Sequence, residues 1–584
     1  MTAAPTWRAQ GEAKRQSILD AIPSKWRLET VIPSAAAQPD VTGDYIRQFL
    51  NEREIKITES DAVDIVAQTT SGRWTAVEVT EAFCHRAALA HQFVSCLHEV
   101  FFDAAIEHAK VLDAYFAEHK APLGPLHGLP VSLKDQFHIK DVETTMGYVG
   151  WIGTFQGKPT DSRCGAVESE LVRELRNLGA VLYCKTSVPT TLMSGETINN
   201  IIGYTWNPKN RLLSSGGSSG GEGALIALRG SPGGFGSDIG GSIRIPAGFN
   251  SLYGLRPSTG RMPYQGAANS MDGQNVILSV IGPLAPTART LTLLFKSVLS
   301  QEPWYHDPLA LELPWRDSIV QETLDLVKQA ETGKSALAFG MMPFDGVARI
   351  HPPIARGLEL VEQTLKRLGH KVIDWCPPSH VEAHELAGKA YQLDGGTDLK
   401  LQFGLSGEAP PPQIIVKEGG TEMIASEIAA LNVAKREYQK KYMDYWNSTA
   451  KLTGTGRPVD GFFCPLAPHA AVIPTQYEQT GYTTFVNVLD YTSVSIPVTF
   501  ANKFVDVLPA EISATEAEAY IDWDCKFDLE IETIDHSDNE ADDAETYHGA
   551  PVGTQFVGRR LQEEKILTLA EYIGAAIARD TELA

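Results

Sequence analysis

The sequence predicts an α/β protein with a layered core, and three observations carry that expectation. Helical and strand patterns alternate along the chain, in helix-then-strand order. No self-similarity at a period of roughly 20–50 residues points to a repeat architecture. The 584 residues are 43% hydrophobic and 21% charged, a globular composition on a chain long enough to bury a large core.

The elements follow in order. Helical patterns over roughly 7–22 and 44–90 predict an N-terminal helical arm (1–90), packed on a catalytic domain that takes the remainder (91–584). "TAVEVTEAFCHRAALAHQF" opens on a capping box, Thr75-x-x-Glu78, and lines Val79, Phe83 and Ala87 along one face. "LPVSLKDQF" is expected to be a short buried strand ending near Lys134. "VESELVRELRNLG" predicts a helix with Leu171, Leu175 and Leu178 inward, closed by Gly179 and followed by the strand "AVLYCKT". "VDGFFCPLAP" and "PVGTQFVGRR" are two further strands, the second leading into the helix "LQEEKILTLAEYIGAAI". "GEAPPPQ" (407–413) is a loop, and the segment 528–545, with nine acidic residues, is expected to be a solvated surface insertion.

Charge and cysteine usage exclude several classes. A net charge of −22 disfavours nucleic acid and anionic membranes as partners, since both demand a positive face. No run of about eighteen apolar residues is present to span a membrane, and the N-terminus lacks the apolar core of a secretory signal. Seven scattered cysteines without C-x-x-C spacing fit reduced thiols in an intracellular, cytoplasmic protein.

The stretch "SSGGSSGGEGALIALRGSPGGFGSDIGGS" (214–242) is where chemistry concentrates. No glycine in it is followed by lysine, which removes the P-loop reading, and neither G-x-G is completed to a dinucleotide fingerprint. The apolar runs inside it are wrong for a flexible linker. Gly216-x-Ser218-x-Gly220 matches a nucleophile elbow, with His469 as an available base, but the polar "NPKNRLLSSG" stands where the elbow needs a buried strand. The alternative needs no histidine, and none occurs between His138 and His306. A lysine whose charge is disfavoured by burial can accept a serine's proton, and Lys134 ends an apolar strand. Two glycines before Ser242 let backbone N–H groups converge, as an oxyanion hole requires.

"GLPVSLKD", "GGSSGGEGALIA" and "SDIGGSIRIPAGFNSLYGLRP", with the 24-residue step from Ser218 to Ser242, together resemble the amidase signature family. "KTSVPTTLMSGETINNIIGYTWNPKN" and "GAPVGTQFVGRRLQEEKIL" extend the likeness, which is nearest to fungal amidases of the acetamidase type. The resemblance implies a single large domain whose central mixed sheet is covered by helices on both faces. It implies that Ser242 is the nucleophile, that Ser218 relays protons after a cis peptide at Gly217, and that Lys134 is the base. The N–H groups of Ile239, Gly240, Gly241 and Ser242 would hold the oxyanion, and Asp238 and Arg244 would pair to support that turn. Met193 and Ser194 would line the substrate site, and Tyr148 and Trp151 are candidate walls. No cofactor or metal is implied. His380 and His384 have a spacing that could bind a metal, but no HExxH accompanies them.

The expected activity is hydrolysis of an amide C–N bond, with a small aliphatic amide such as acetamide as first choice. Ethyl carbamate and aryl acylamides are alternatives served by the same three residues. A non-hydrolytic subunit or binding domain is the alternative of another class, and the intact Lys134, Ser218 and Ser242 argue against it. A homodimer is left open.

Overall fold

The computed structural model describes residues 6–334, 336–414, 420–506 and 544–582. The strands are β1 (Leu97–Val100), β2 (Pro130–Lys134), β3 (Val181–Thr186), β4 (Ile198–Asn199), β5 (Gly203–Tyr204), β6 (Gly234–Asp238) and β7 (Tyr253–Arg256). They continue with β8 (Val280–Ala285), β9 (Ala338–Met341), β10 (Lys371–Asp374), β11 (Gly461–Pro465), β12 (Ser493–Phe500) and β13 (Pro551–Val557). Among the described residues eleven of these form one sheet in the order β1-β3-β2-β6-β8-β7-β12-β13-β11-β9-β10, while β4 and β5 pair separately. The sheet is mixed: β2 runs parallel to both β3 and β6, and β6 runs antiparallel to β8.

Side-chain alternation divides the core between the two faces of the sheet. Val131 and Leu133 of β2 and Leu182 of β3 pack with Leu291, Phe295 and Ile566, from the helices Ala288–Leu299 and Glu563–Glu582. Val181 and Tyr183 point the other way, toward Phe102 and Leu225, from the helices Phe102–His119 and Gly220–Ala227. Ser132 and Lys134, on the opposite parity to Val131 and Leu133, therefore turn toward that second side, where the Ser132 hydroxyl donates to Glu222. That is how the buried strand "PVSLK" delivers a lysine into the interior.

The helix Ala76–Val94 forms as its pattern predicts, with Val79, Phe83 and Ala87 buried. Thr75 caps it by accepting from the Glu78 N–H at 3.0 Å, but the Glu78 carboxylate turns to Arg53 (2.7 Å) instead of closing the box. The boundary expected at residue 90 falls inside this helix. Farther upstream, the helix Trp7–Asp20 is tied to the body by Lys14, which pairs with Glu99 and Glu143 at 2.6 Å each. The helix Glu170–Asn177 and the turn at Gly179 (φ +83°) lead into β3 as expected, and 407–413 is a loop. Of the acidic segment 528–545, all but the last two residues lie outside the described residues. No helix among the described residues is long and apolar enough to cross a membrane.

Candidate active site

Lys134 ends β2 beside the parallel strand β6, and its ammonium nitrogen donates to two hydroxyls, Ser218 Oγ at 2.7 Å and Ser237 Oγ at 2.9 Å. Ser237 in turn donates to Gln136 Oε1. All four residues are buried. Burial lowers the Lys134 ammonium to about 7, against the opposing pull of the Asp238 and Glu222 charges. Glu222, held by Ser132 at 2.6 Å and Thr186 at 2.9 Å, is pushed up by burial to about 8. Burial thus shifts both the Lys134 ammonium and the Glu222 carboxyl toward their neutral forms.

Ser218 follows a cis Gly217–Ser218 peptide and precedes the helix Gly220–Ala227. The close approach requires Gly217: a Cβ there would lie 2.6 Å from the Ser194 carbonyl oxygen and 2.8 Å from the Glu196 nitrogen. Ser242 comes next to this turn, and the Ser219 N–H donates to the Ser242 carbonyl at 3.1 Å. Among the described residues no hydrogen bond joins the Ser218 and Ser242 hydroxyls, and none joins a histidine to either serine. His469, the base of the elbow reading, is packed against Phe249, His351 and Tyr477. Burial lowers its imidazolium to about 3.

The loop between β6 and the helix Arg244–Phe249 is built around Asp238 and Arg244. The two form a fully buried bidentate pair, Nε to Oδ2 and Nη2 to Oδ1 at 3.0 Å each. Burial acts against the Asp238 carboxylate, but Arg244 beside it holds its pKa well below the usual carboxylate range. Asn487 donates to Asp238 at 2.8 Å, and Gln555 accepts from Arg244 at 2.9 Å, so the turn is braced from two distant elements. The Gly241 N–H is consumed here, donating to Asp238 Oδ1 at 2.9 Å. Gly241 sits at φ +131°, with Thr483 Oγ1 only 2.4 Å from where a Cβ would be, a position that excludes a side chain. Among the described residues the N–H groups of Ile239, Gly240 and Ser242 have no acceptor. Of the four donors expected for an oxyanion, three are therefore open and the fourth braces the turn.

Arg244→Met would leave Asp238 buried and unpaired, and is expected to destabilise the fold by about 3–5 kcal/mol. A fall in the urea midpoint measures it, and an unchanged midpoint would show that the pair contributes nothing. Asp238 is ionised in the fold with a depressed pKa. Its stabilisation is complete above the unfolded carboxylate's pKa of about 3.9 and is lost as pH falls below that value.

Ser242 opens onto a cavity of about 570 Å³, walled by Met193, Ser194, Ile239, Gly240, Tyr391 and Tyr477 among others. Met193 and Ser194 border this cavity together with Ser242. Tyr148 and Trp151 do not: Tyr148 is fully buried against Trp151 and Phe403, and neither aromatic lines this cavity. Trp151 instead borders an adjoining cavity of about 600 Å³, which shares Met271 and Asp394 with the first. The two histidines of "SHVEAHE" separate, His380 stacking on Phe485 in the core and His384 reaching the Ser242 cavity. Among the described residues no group of His, Cys, Asp and Glu is arranged to hold a metal ion. Sequence reasoning missed Ser237, Gln136, Glu222, Thr483 and Tyr391. Only Glu222 left a trace, as a lone acid in an otherwise apolar helix.

A mixed α/β sheet that sets a buried lysine against serine hydroxyls, beside a turn of open N–H groups, assembles the parts that acyl transfer requires. The chain belongs to the amidase family, whose pattern residues 78–567 match. It is 44% identical to an acetamidase of Aspergillus oryzae over 97% of this chain and 98% of that one. To an acetamidase of Emericella nidulans it is 42% identical, with the same coverage of both. Among solved structures it superposes on a fatty acid amide hydrolase with a TM-score of 0.84 at 32% identity, covering 98% of this chain and 95% of that chain. The protein is an enzyme that hydrolyses amide C–N bonds.

Proposed function

We propose that this amidase acts through an acyl-enzyme on Ser242, with Lys134 as base and Ser218 between them. Neutral Lys134 accepts a proton from Ser218 as Ser218 takes that of Ser242, and Ser242 Oγ attacks the amide carbon. The N–H groups of Ile239, Gly240 and Ser242 receive the oxyanion. Lys134, now charged, returns the proton through Ser218 to the leaving nitrogen, and water then cleaves the ester by the same route. The observation that carries this reading is the 2.7 Å contact between Lys134 and Ser218, in a buried site where the lysine is lowered to about 7. The relay requires a Ser218–Ser242 hydrogen bond in the substrate complex, where catalytic hydrogen bonds often tighten.

A small aliphatic amide, acetamide first, is the substrate that the two acetamidase relatives support. The cavity favours a second reading. At about 570 Å³ it lies within the roughly 300–1,000 Å³ that drug-sized ligands occupy, so aryl acylamides and longer amides would also fit. The buried free thiols of Cys84, Cys96 and Cys184 support a reducing compartment such as the cytoplasm. The test is kcat/KM across formamide, acetamide, hexanamide, benzamide, acetanilide and ethyl carbamate. A maximum at acetamide supports the first reading, and a rise of about tenfold or more toward hexanamide or acetanilide replaces it with the second. No release of ammonia or amine from any of the six would overturn both.

A further inference from the structure

Two consecutive carbonyls of the turn before Ser242 are held by side chains from far along the chain. The Tyr391 hydroxyl donates to the Ile239 carbonyl oxygen at 2.6 Å, and the Thr483 hydroxyl donates to that of Gly240 at 2.6 Å. A trans peptide is planar, so its C=O and N–H point in opposite directions. Whatever fixes the Ile239 carbonyl therefore aims the Gly240 N–H, which belongs to the same peptide unit. Thr483 performs that task for the Gly241 N–H, which is already engaged by Asp238. The Gly240 N–H has no acceptor among the described residues, and both Gly240 and Tyr391 border the cavity in front of Ser242. Gly240 itself leaves the hydroxyl room, since a Cβ there would come within 3.3 Å of it.

We infer that Tyr391 is a positioning residue for the oxyanion: its hydroxyl pins the Ile239–Gly240 peptide so that the Gly240 N–H faces the cavity. The inference rests on Ser242 as nucleophile. Tyr391 follows the helix His380–Ala390, which packs on the helix Gly481–Leu489 that carries Thr483, so the two anchors belong to one packed unit. Without its hydroxyl the peptide is free to rotate, and the donor is lost for part of the time. Removing an oxyanion donor outright costs about 10²–10³ in kcat, and loosening one is expected to cost about 10–100-fold.

The test is Tyr391→Phe in the full chain, which keeps the ring and removes only the hydroxyl. Active-site titration with a fluorophosphonate counts competent Ser242, so the rate is expressed per folded site even where the variant folds poorly. The expected result is kcat lowered about 10–100-fold per titrated site, KM within about twofold of wild type, and an unchanged labelled fraction. Affinity for a trifluoromethyl ketone, whose adduct carries the oxyanion, should fall by a similar factor. A purely structural tyrosine would lower the labelled fraction and the melting temperature while leaving ketone affinity per site intact, and that result would overturn the inference. So would a raised KM at wild-type kcat, the mark of a mere cavity wall. Failure of the wild-type protein to label at Ser242 would instead remove the nucleophile assignment, and the inference with it.

Discussion

Ser242→Ala is expected to lower kcat by about a million-fold, the cost of removing the attacking atom from a serine hydrolase. The turn around it should survive, because its bracing comes from Asp238, Arg244, Asn487 and Gln555 and not from the Ser242 hydroxyl. The melting temperature should therefore stay close to wild type while ammonia release disappears. A fluorophosphonate should add one label to the wild-type chain, and peptide mapping should find it on Ser242. Retained activity in Ser242→Ala, or labelling of Ser218 in its place, would restore the elbow reading and end this one.

Lys134→Ala is expected to lower kcat/KM by about 10³–10⁴-fold, the upper part of the range for general acid–base catalysis. The pH dependence supplies the sharper signature. Burial lowers Lys134 to about 7, and only the neutral amine accepts a proton. Below that value the neutral fraction falls tenfold per pH unit, so wild-type kcat/KM should rise with unit slope up to about pH 7 and level off above it. An unperturbed lysine, near 10.4, would place the same limb in the alkaline range. In Lys134→Ala the limb should vanish from the residual rate. His469→Ala should leave it in place, because His469 sits among aromatic rings away from both serines. A limb that disappears with His469 and persists without Lys134 would make histidine the base.

The α/β class and the strand that ends in Lys134 could be read from the chain, as could the short motifs whose family likeness implies the proposed relay. These were legible because strand and helix periods, capping residues and short motifs are written within a few residues of one another. The pairing of Asp238 with Arg244 was legible for the same reason, since only a tight turn separates them. The long-range contacts arise from how the strands and helices assemble. Lys134 meets Ser237 across 103 residues, Tyr391 reaches Ile239 across 152, and Arg244 reaches Gln555 across 311. No periodicity encodes such contacts, because they depend on which strands become neighbours and not on spacing along the chain. The order β2-β6-β8, assembled from segments about 50 to 100 residues apart, is what sets Ser237 beside Lys134. Tyr148 and Trp151 teach the converse: an aromatic cluster has the same sequence in a core as in a cavity wall, and the fold sets Tyr148 against Phe403 in the interior while Trp151 borders the neighbouring cavity. The Gly241 N–H was counted as a donor for the same reason. A backbone group declares nothing about its partner until the chain around it is folded, and here the Asp238 carboxylate had already taken it.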